Sequence, residues 1–356
     1  MLKFKKSVIF ILILSVTLGV FSSCDLGKSA KNKYTSYSFD YFDTVTTVIG
    51  YEESEAEFNK NTELVMSTLE RYHKLFDIYN TYSGLNNLKT VNALHDGAHI
   101  EVKVDESIIE LIEISRDLYE KTDGNFNIAM GSVLSIWHQY RTAGEMNPDK
   151  AKLPSLEKLH EAKEHIDFSC IKIDKERSTV FITDPEATID VGAIGKGYAT
   201  EMAARELEKA GVNGYILNVG GNVRTVGDKP DGKWVMGIQN PDTESQEPYV
   251  KRVSFSDMSL VTSGSYQRFY EVDGVSYHHI IDKDTLFPAE HFVSVSVIYP
   301  DSGIADALST SLFCMSYEEG LELLGKFDGA EAMWITKEGK YFYSENFDKY
   351  VKAGER

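Results

Sequence analysis

Three groups of residues in this chain have the types and spacing for chemistry, and each also has a reading that needs none. The stretch Thr188 to Asn222, TIDVGAIGKGYATEMAARELEKAGVNGYILNVGGN, opens as a short apolar strand ending at Asp190 and turns through Gly192, Gly195 and Gly197 into a helix. It returns as a second strand ending in Gly220-Gly221. Glycine lets a backbone approach a ligand closely, and free N–H groups at the start of a helix favour negative charge, so this turn suits a phosphate. Lys196 adds a mobile point charge beside it. The spacing fits neither GxxxxGK[ST] nor GxGxxG, and strand, glycine turn and helix also occur without a ligand. Asp190 tips the balance, because a carboxylate at the mouth of an anion site is costly unless a cation or a donor-rich ligand group offsets it. Asp306 and Thr310 stand four apart, so on a helix they project from one face and offer a carboxylate and a hydroxyl to one hard cation. A threonine there can instead bond back to its own helix. His279 has the ordinary pKa of a general base near neutrality, or is a strand histidine satisfied by hydrogen bonds.

These groups need elements to hold them. From Glu55 to Phe76, Phe58, Thr62, Val65, Leu69, Tyr72 and Phe76 recur in steps of four and three, the pattern of an amphipathic helix. A polar turn, Tyr79 to Ser83, follows it. Asp105 caps a second helix to Lys121, Ser155 caps a short one to Ala162, and Gly211 closes the helix of the glycine turn. Strands are expected at Tyr41–Val48, at 168–174 and 179–183, at 223–226, 234–238 and 260–262, and at Arg268–Val272 and Val275–Ile281 around the turn signal Asp273-Gly274. Asp301 or Ser302 caps the helix that carries Asp306, Ser316 and Glu319 form a capping box, and Met333–Ile335 pairs with Tyr341–Tyr343.

With 356 residues, 42% of them hydrophobic, the chain can bury a large core, and its net charge of -18 argues against nucleic acid or a polybasic membrane surface. Lys3, Lys5 and Lys6 precede an apolar run from Val8 to Phe21 and then Ser22-Ser23-Cys24, which reads as a signal segment over residues 1–23, shorter than a membrane span requires. Small residues before Cys24 suggest a bacterial lipobox, with Cys24 as the lipid-modified mature terminus; an ordinary secretory signal is the alternative. Residues 24–37 then read as a polar tether and 38–350 as one domain. Cys170 and Cys314 form neither a disulfide framework nor a zinc site and read as core.

The segment Asp190-Val191-Gly192-Ala193-Ile194-Gly195-Lys196-Gly197-Tyr198-Ala199 resembles the central motif of the ApbE-type FAD:protein FMN transferases. The likeness runs from about Phe42 to Gly325 through further motifs in order. Thr122 to Ile128 resembles TDGAFDIT, with Asn125 for Ala and Asn127 for Asp. Val261 to Arg268 resembles the TSG-Y-R signature. His279-Ile280-Ile281-Asp282 resembles HIIDPxTG, with Lys283 for Pro and Leu286 for Gly, departures expected to reshape that turn. Asp306 to Thr310 resembles DAxxT. The resemblance implies an α+β fold, mixed sheets flanked by helices, with an FAD cleft between an earlier helical half and a later strand-rich half. It implies that Phe42, Tyr79, Asn125, Phe126, Asn127 and Ile280 contact the flavin, and that Asp190 and Lys196 bind the nucleotide. Asp306, Thr310 and the Ala193 carbonyl would hold Mg²⁺, and His279 would be catalytic. The implied activity moves FMN from FAD to a Thr or Ser hydroxyl of another protein and releases AMP. Hydrolysis of FAD to FMN and AMP, or flavin binding without turnover, are the alternatives. The implied acceptor is a flavoprotein subunit of a membrane respiratory complex (Nqr- or Rnf-like) or an extracytoplasmic reductase, reached from a lipid anchor at the cell membrane facing the periplasm.

Overall fold

A computed structural model describes residues 31–94 and 100–354 of the chain. The expected signal segment, Cys24 and the tether up to residue 30 lie outside the described residues. The described part belongs to one compact unit that starts at Lys31.

Eight strands form the main sheet, in the order β1 (Asn32–Ser38), β2 (Thr46–Glu52), β6 (Tyr215–Val219), β7 (Asn222–Val226), β10 (Ser259–Gly264), β13 (Ser294–Tyr299), β14 (Glu331–Ile335) and β15 (Tyr341–Tyr343). Every pairing in it is antiparallel. Smaller sheets join β3 (Val102–Lys103), β5 (Thr179–Ile182) and β4 (Ile171–Asp174); β8 (Trp234–Gln239) and β9 (Tyr249–Phe255); and β11 (Phe269–Val272) and β12 (Val275–His278). The helices are α1 (Glu55–Phe76), α2 (Leu88–Ala93), α3 (Glu106–Lys121), α4 (Gly131–Met146), α5 (Leu156–Lys163), α6 (Gly195–Lys209), α7 (Ser302–Phe313) and α8 (Tyr317–Leu324).

Side chains on a strand alternate between faces, and in β10, β13 and β14 both faces are covered. Val261, Val297 and Trp334 enter the core shared with α1, α6 and α7, while their neighbours Leu260, Ile298 and Ile335 enter a second core with Trp234, Phe255 and Phe347. That is why β13 reads as a nearly continuous buried run, SVSVIY. A third, smaller core joins Trp137 of α4 to Leu159 of α5, to Tyr270 of β11 and to Ile281 and Leu286.

Ser54 caps α1 by accepting the Glu57 N–H, and the predicted apolar positions of this helix are all buried. Asp105, Ser155, Asp301 and the Ser316–Glu319 capping box act as expected. Met333, Trp334 and Ile335 pair with Tyr343, Phe342 and Tyr341. Several expectations need correction. From Asn32 the stretch read as tether is β1, whose backbone is paired along its length with β2. The strand expected from Tyr41 starts only at Thr46, because Phe42 and Asp43 take φ of 57° and 50° and turn the chain. Thr188 makes a single parallel bridge to Met130 and no strand runs to Asp190. The second hairpin strand ends at His278, before His279. The helix α4 and the strand β9 were not anticipated. At the turn where the motif has glycine, the backbone of Leu286 is unusual for its residue type. It adopts φ 61°, a conformation normally left to glycine, and its N–H donates to the Asp282 carbonyl at 2.9 Å. Its side chain is fully buried, and that burial offsets the backbone cost.

Candidate functional site

A cavity of about 430 Å³ opens between α4 with the segment before it on one side and α6, α7 and β10 on the other. Its lining includes Tyr79, Asn125, Phe126, Asn127, Asp190, Ala193, Lys196, His279, Ile280, Asp306 and Thr310, so the structure gathers these expected residues from five separate stretches of sequence. Phe42 is not among the lining residues. Its ring packs edge-on against His73, with centroids 5.4 Å apart, and its N–H donates to His73 Nδ1, while the neighbouring Asp43 and Thr44 line the cavity.

The glycine turn works differently from the simple phosphate loop. At Gly197 an added Cβ would lie 2.3 Å from the Ser302 carbonyl oxygen and 2.6 Å from the Asp306 Cβ, so this glycine lets α6 and α7 touch. The Gly197 N–H donates to Asp306 Oδ2 at 2.9 Å, and the Gly195 N–H to the Val191 carbonyl at 2.7 Å. The Gly192 N–H donates to Asp190 Oδ1 at 2.8 Å. The Gly192, Gly195 and Gly197 N–H groups therefore bind protein acceptors, and Lys196 carries the charge that α6 adds to the cavity.

Asp306 is 5% exposed and has that single backbone donor. Burial raises its pKa, against the pull of Lys196 and the Gly197 N–H. A buried carboxylate so sparsely satisfied suits a cation. Ser309 and Ser311 bond back to the carbonyls of Asp306 and Ala307, but the Thr310 hydroxyl meets Ser263 Oγ at 3.3 Å. Among the described residues no group of three His, Cys, Asp or Glu side chains is placed to hold a metal. The candidate donors that line the cavity are of another kind, the Asp306 carboxylate, the Thr310 hydroxyl and the main chain at Ala193, and an all-oxygen set of this sort would fit a magnesium ion that keeps waters and substrate oxygens as further ligands. Asp190 is raised by burial as well, opposed by its Gly192 bond, by His138 and by Lys196.

Two adjacent histidines part company. His278 is tied at both nitrogens: Nε2–H to the Ala289 carbonyl at 2.9 Å, and Nδ1 accepting the Ile280 N–H at 3.2 Å. His279 makes one bond, Nδ1 to the Arg268 carbonyl at 3.2 Å, which puts its proton on Nδ1 and leaves Nε2 as an acceptor in the cavity. Burial, then the Arg268 and Lys196 charges, push its pKa down to about 3, so the ring is neutral.

Tyr79 is 57% exposed, and its ring tilts against His138 with centroids 5.2 Å apart. Its loop is held by Asp77, whose carboxylate accepts from the Tyr79 and Asn80 N–H groups, the Asn80 amide and the Tyr82 hydroxyl. Burial opposes ionisation of Asp77, but these donors outweigh it and lower its pKa. Asn127 uses both ends of its amide internally, donating to the Ile166 carbonyl and accepting the Ala129 N–H, each at 2.8 Å. An aspartate could not make the first bond, so the departure from the motif serves the local fold. Missed by sequence reasoning are His138 and Arg141 of α4, which line the cavity with Leu134 and Trp137. Their spacing of three, four and seven is the helical signal that marks them. Cys314 also lines the cavity, and burial raises its thiol pKa.

With this geometry in hand, the likenesses to known proteins are informative. The sequence pattern of the ApbE family matches residues 37–334. An FAD:protein FMN transferase of Treponema pallidum is 35% identical over 249 residues, covering 66% of this chain and 67% of that protein. One from Klebsiella pneumoniae is 28% identical over 307 residues, 86% of this chain and 90% of the relative. The crystal structure of the ApbE protein from Thermotoga maritima superposes with a TM-score of 0.78 at 27% identity, covering 90% of this chain and 100% of that one. The apo flavinyl transferase ApbE of Pseudomonas stutzeri superposes with a TM-score of 0.74 at 25% identity, covering 93% and 100%.

Proposed function

The chain belongs to the ApbE family, and from that premise we propose that it transfers the FMN moiety of FAD to a Thr or Ser hydroxyl of a target protein, with Mg²⁺ at the phosphates. The observation that carries this reading is the convergence of His279, with a free Nε2, on the cavity that also holds Lys196 and the Asp306–Thr310 face.

The acceptor hydroxyl oxygen attacks the phosphorus on the FMN side of the pyrophosphate. The new P–O bond joins FMN to the acceptor, the bond between that phosphorus and the bridging oxygen breaks, and AMP leaves with the bridging oxygen on its own phosphate. His279 Nε2 takes the hydroxyl proton, while the Arg268 carbonyl keeps the other nitrogen protonated and the ring oriented. Binding the anionic pyrophosphate offsets the cations that depress His279, so the imidazole gains basicity where it is used. Asp306, Thr310 and the Ala193 carbonyl would hold magnesium, which when bound neutralises charge on the phosphate oxygens. Tyr79, exposed beside His138, offers a face for the flavin ring.

Lipidation at Cys24, placement at the extracytoplasmic face of the cell membrane and an Nqr- or Rnf-like respiratory subunit as acceptor complete the reading. The Lys3–Lys6 charges, the apolar run and Ser22-Ser23-Cys24 support the first two. The test is incubation with FAD, Mg²⁺ and such a subunit, followed by its mass. A gain of one FMN with release of AMP supports transfer; free FMN with an unchanged subunit mass points to hydrolysis.

A further inference from the structure

Among the described residues three Lys or Arg cations line the cavity, and two come from segments with motif character, Lys196 at the start of α6 and Arg268 just before β11; the third, Arg141, comes from α4. The Arg141 side chain is 18% exposed, and its ion pair with Glu145 is long, 3.6 Å, to a carboxylate that is 54% exposed. Such a pair leaves the charge largely available to another partner. Nη2–H donates to His138 Nδ1 at 3.1 Å, which aims the guanidinium. Among the described residues the cavity's carboxylates are Asp43, Asp190 and Asp306. Without Arg141 they would outnumber the lining Lys and Arg cations by three to two, in a chain of net charge -18 that has to receive a dianion.

We propose that Arg141 is a phosphate-binding residue of this site: aimed by His138, its guanidinium hydrogen-bonds a non-bridging oxygen of the FAD pyrophosphate beside His279. The inference rests on FAD being the substrate. A guanidinium carries five N–H donors in one plane, so Arg141 can serve His138 and a phosphate together. Arg268, Lys196 and Arg141 line the same cavity as His279, and after burial each of them adds to the lowering of its pKa. His138 is held in turn by the tilted Tyr79 ring, so α4 supplies both the charge and its support.

The test is a fluorescence titration of the whole protein with FAD and with riboflavin, which has the same ring and no phosphate. Arg141→Gln should weaken FAD binding by about 10- to 100-fold, the worth of one charge-assisted hydrogen bond, and leave riboflavin binding unchanged. Arg141→Lys, which keeps the charge and loses the planar fork, should recover part of the FAD affinity. Unchanged FAD affinity in Arg141→Gln, or equal losses for FAD and riboflavin, would overturn the inference. If Arg141→Gln lacks a cooperative melt, Arg141→Lys decides, since it must weaken FAD more than riboflavin. A wild-type protein that binds no FAD removes the substrate reading and this inference together, and is thereby told apart from a failure at Arg141 alone.

Discussion

On one side of the cavity α6 and α7 touch at Gly197, and the Asp306 carboxylate is fixed by a backbone N–H across that contact. On the other side α4 leans on the β11–β12 hairpin through Trp137, Tyr270 and Leu286, with the Trp137 indole N–H donating to the Leu286 carbonyl at 2.8 Å. The first wall is made by the absence of side chains, and its functional atoms are positioned by main chain. The second is made by large side chains filling a small separate core, and its functional groups, His279, His138 and Arg141, ride on that packing. The Asp306 carboxylate thus sits on the wall whose atoms are placed by main chain, and His279, Arg141 and Arg268 sit on the one whose geometry depends on a few aromatic contacts.

The comparison breaks most visibly at Asp306. Asp306→Ala should reduce FMN transfer by at least about 10³-fold, the scale on which losing one key electrostatic group acts, while a cooperative melt is kept because Ala favours the helix. Full transfer by this variant in excess chelator would end the metal reading. His279→Ala should slow transfer by ~10²–10⁴-fold with little change in FAD affinity, as expected of a general base. His278→Ala should instead lower the melting temperature, because it orphans the Ala289 carbonyl and the Ile280 N–H, and leave the rate per folded molecule near wild type. Equal rate losses in the two variants would assign His279 to structure. Leu286→Ala tests the second wall through its packing and should cost about 2–5 kcal/mol in urea unfolding, since a buried side chain is lost from the small core.

The smallest effect is on pH dependence. His279 is depressed from the ordinary 6.5 to about 3, so as pH falls through that window the unfolded chain binds its proton before the folded one does. Its contribution to stability is complete above about 6.5 and declines towards 3. His279→Gln should flatten the difference in melting temperature between pH 4 and pH 7; an identical slope in wild type and variant would show that the imidazole is not depressed.

Local pattern in the sequence was enough for what depends on near neighbours: the capped and amphipathic helices, the Met333–Ile335 register against Tyr341–Tyr343, the four-residue spacing of Asp306 and Thr310, and, through the motif resemblance, most of the cavity lining. What it left open depends on contacts far apart along the chain. Whether a glycine N–H meets a phosphate or Asp306 is settled by how closely α6 approaches α7. Whether His278 or His279 keeps a free nitrogen is settled by where Ala289 and Arg268 present their carbonyls. Phe42 turned away because Phe42 and Asp43 take left-handed backbone conformations, which a β-branched alternation from Thr44 does not announce. Leu286 could occupy a glycine's conformation only because the pocket beside Trp137 buries its side chain, and burial of that kind is a property of the assembled fold.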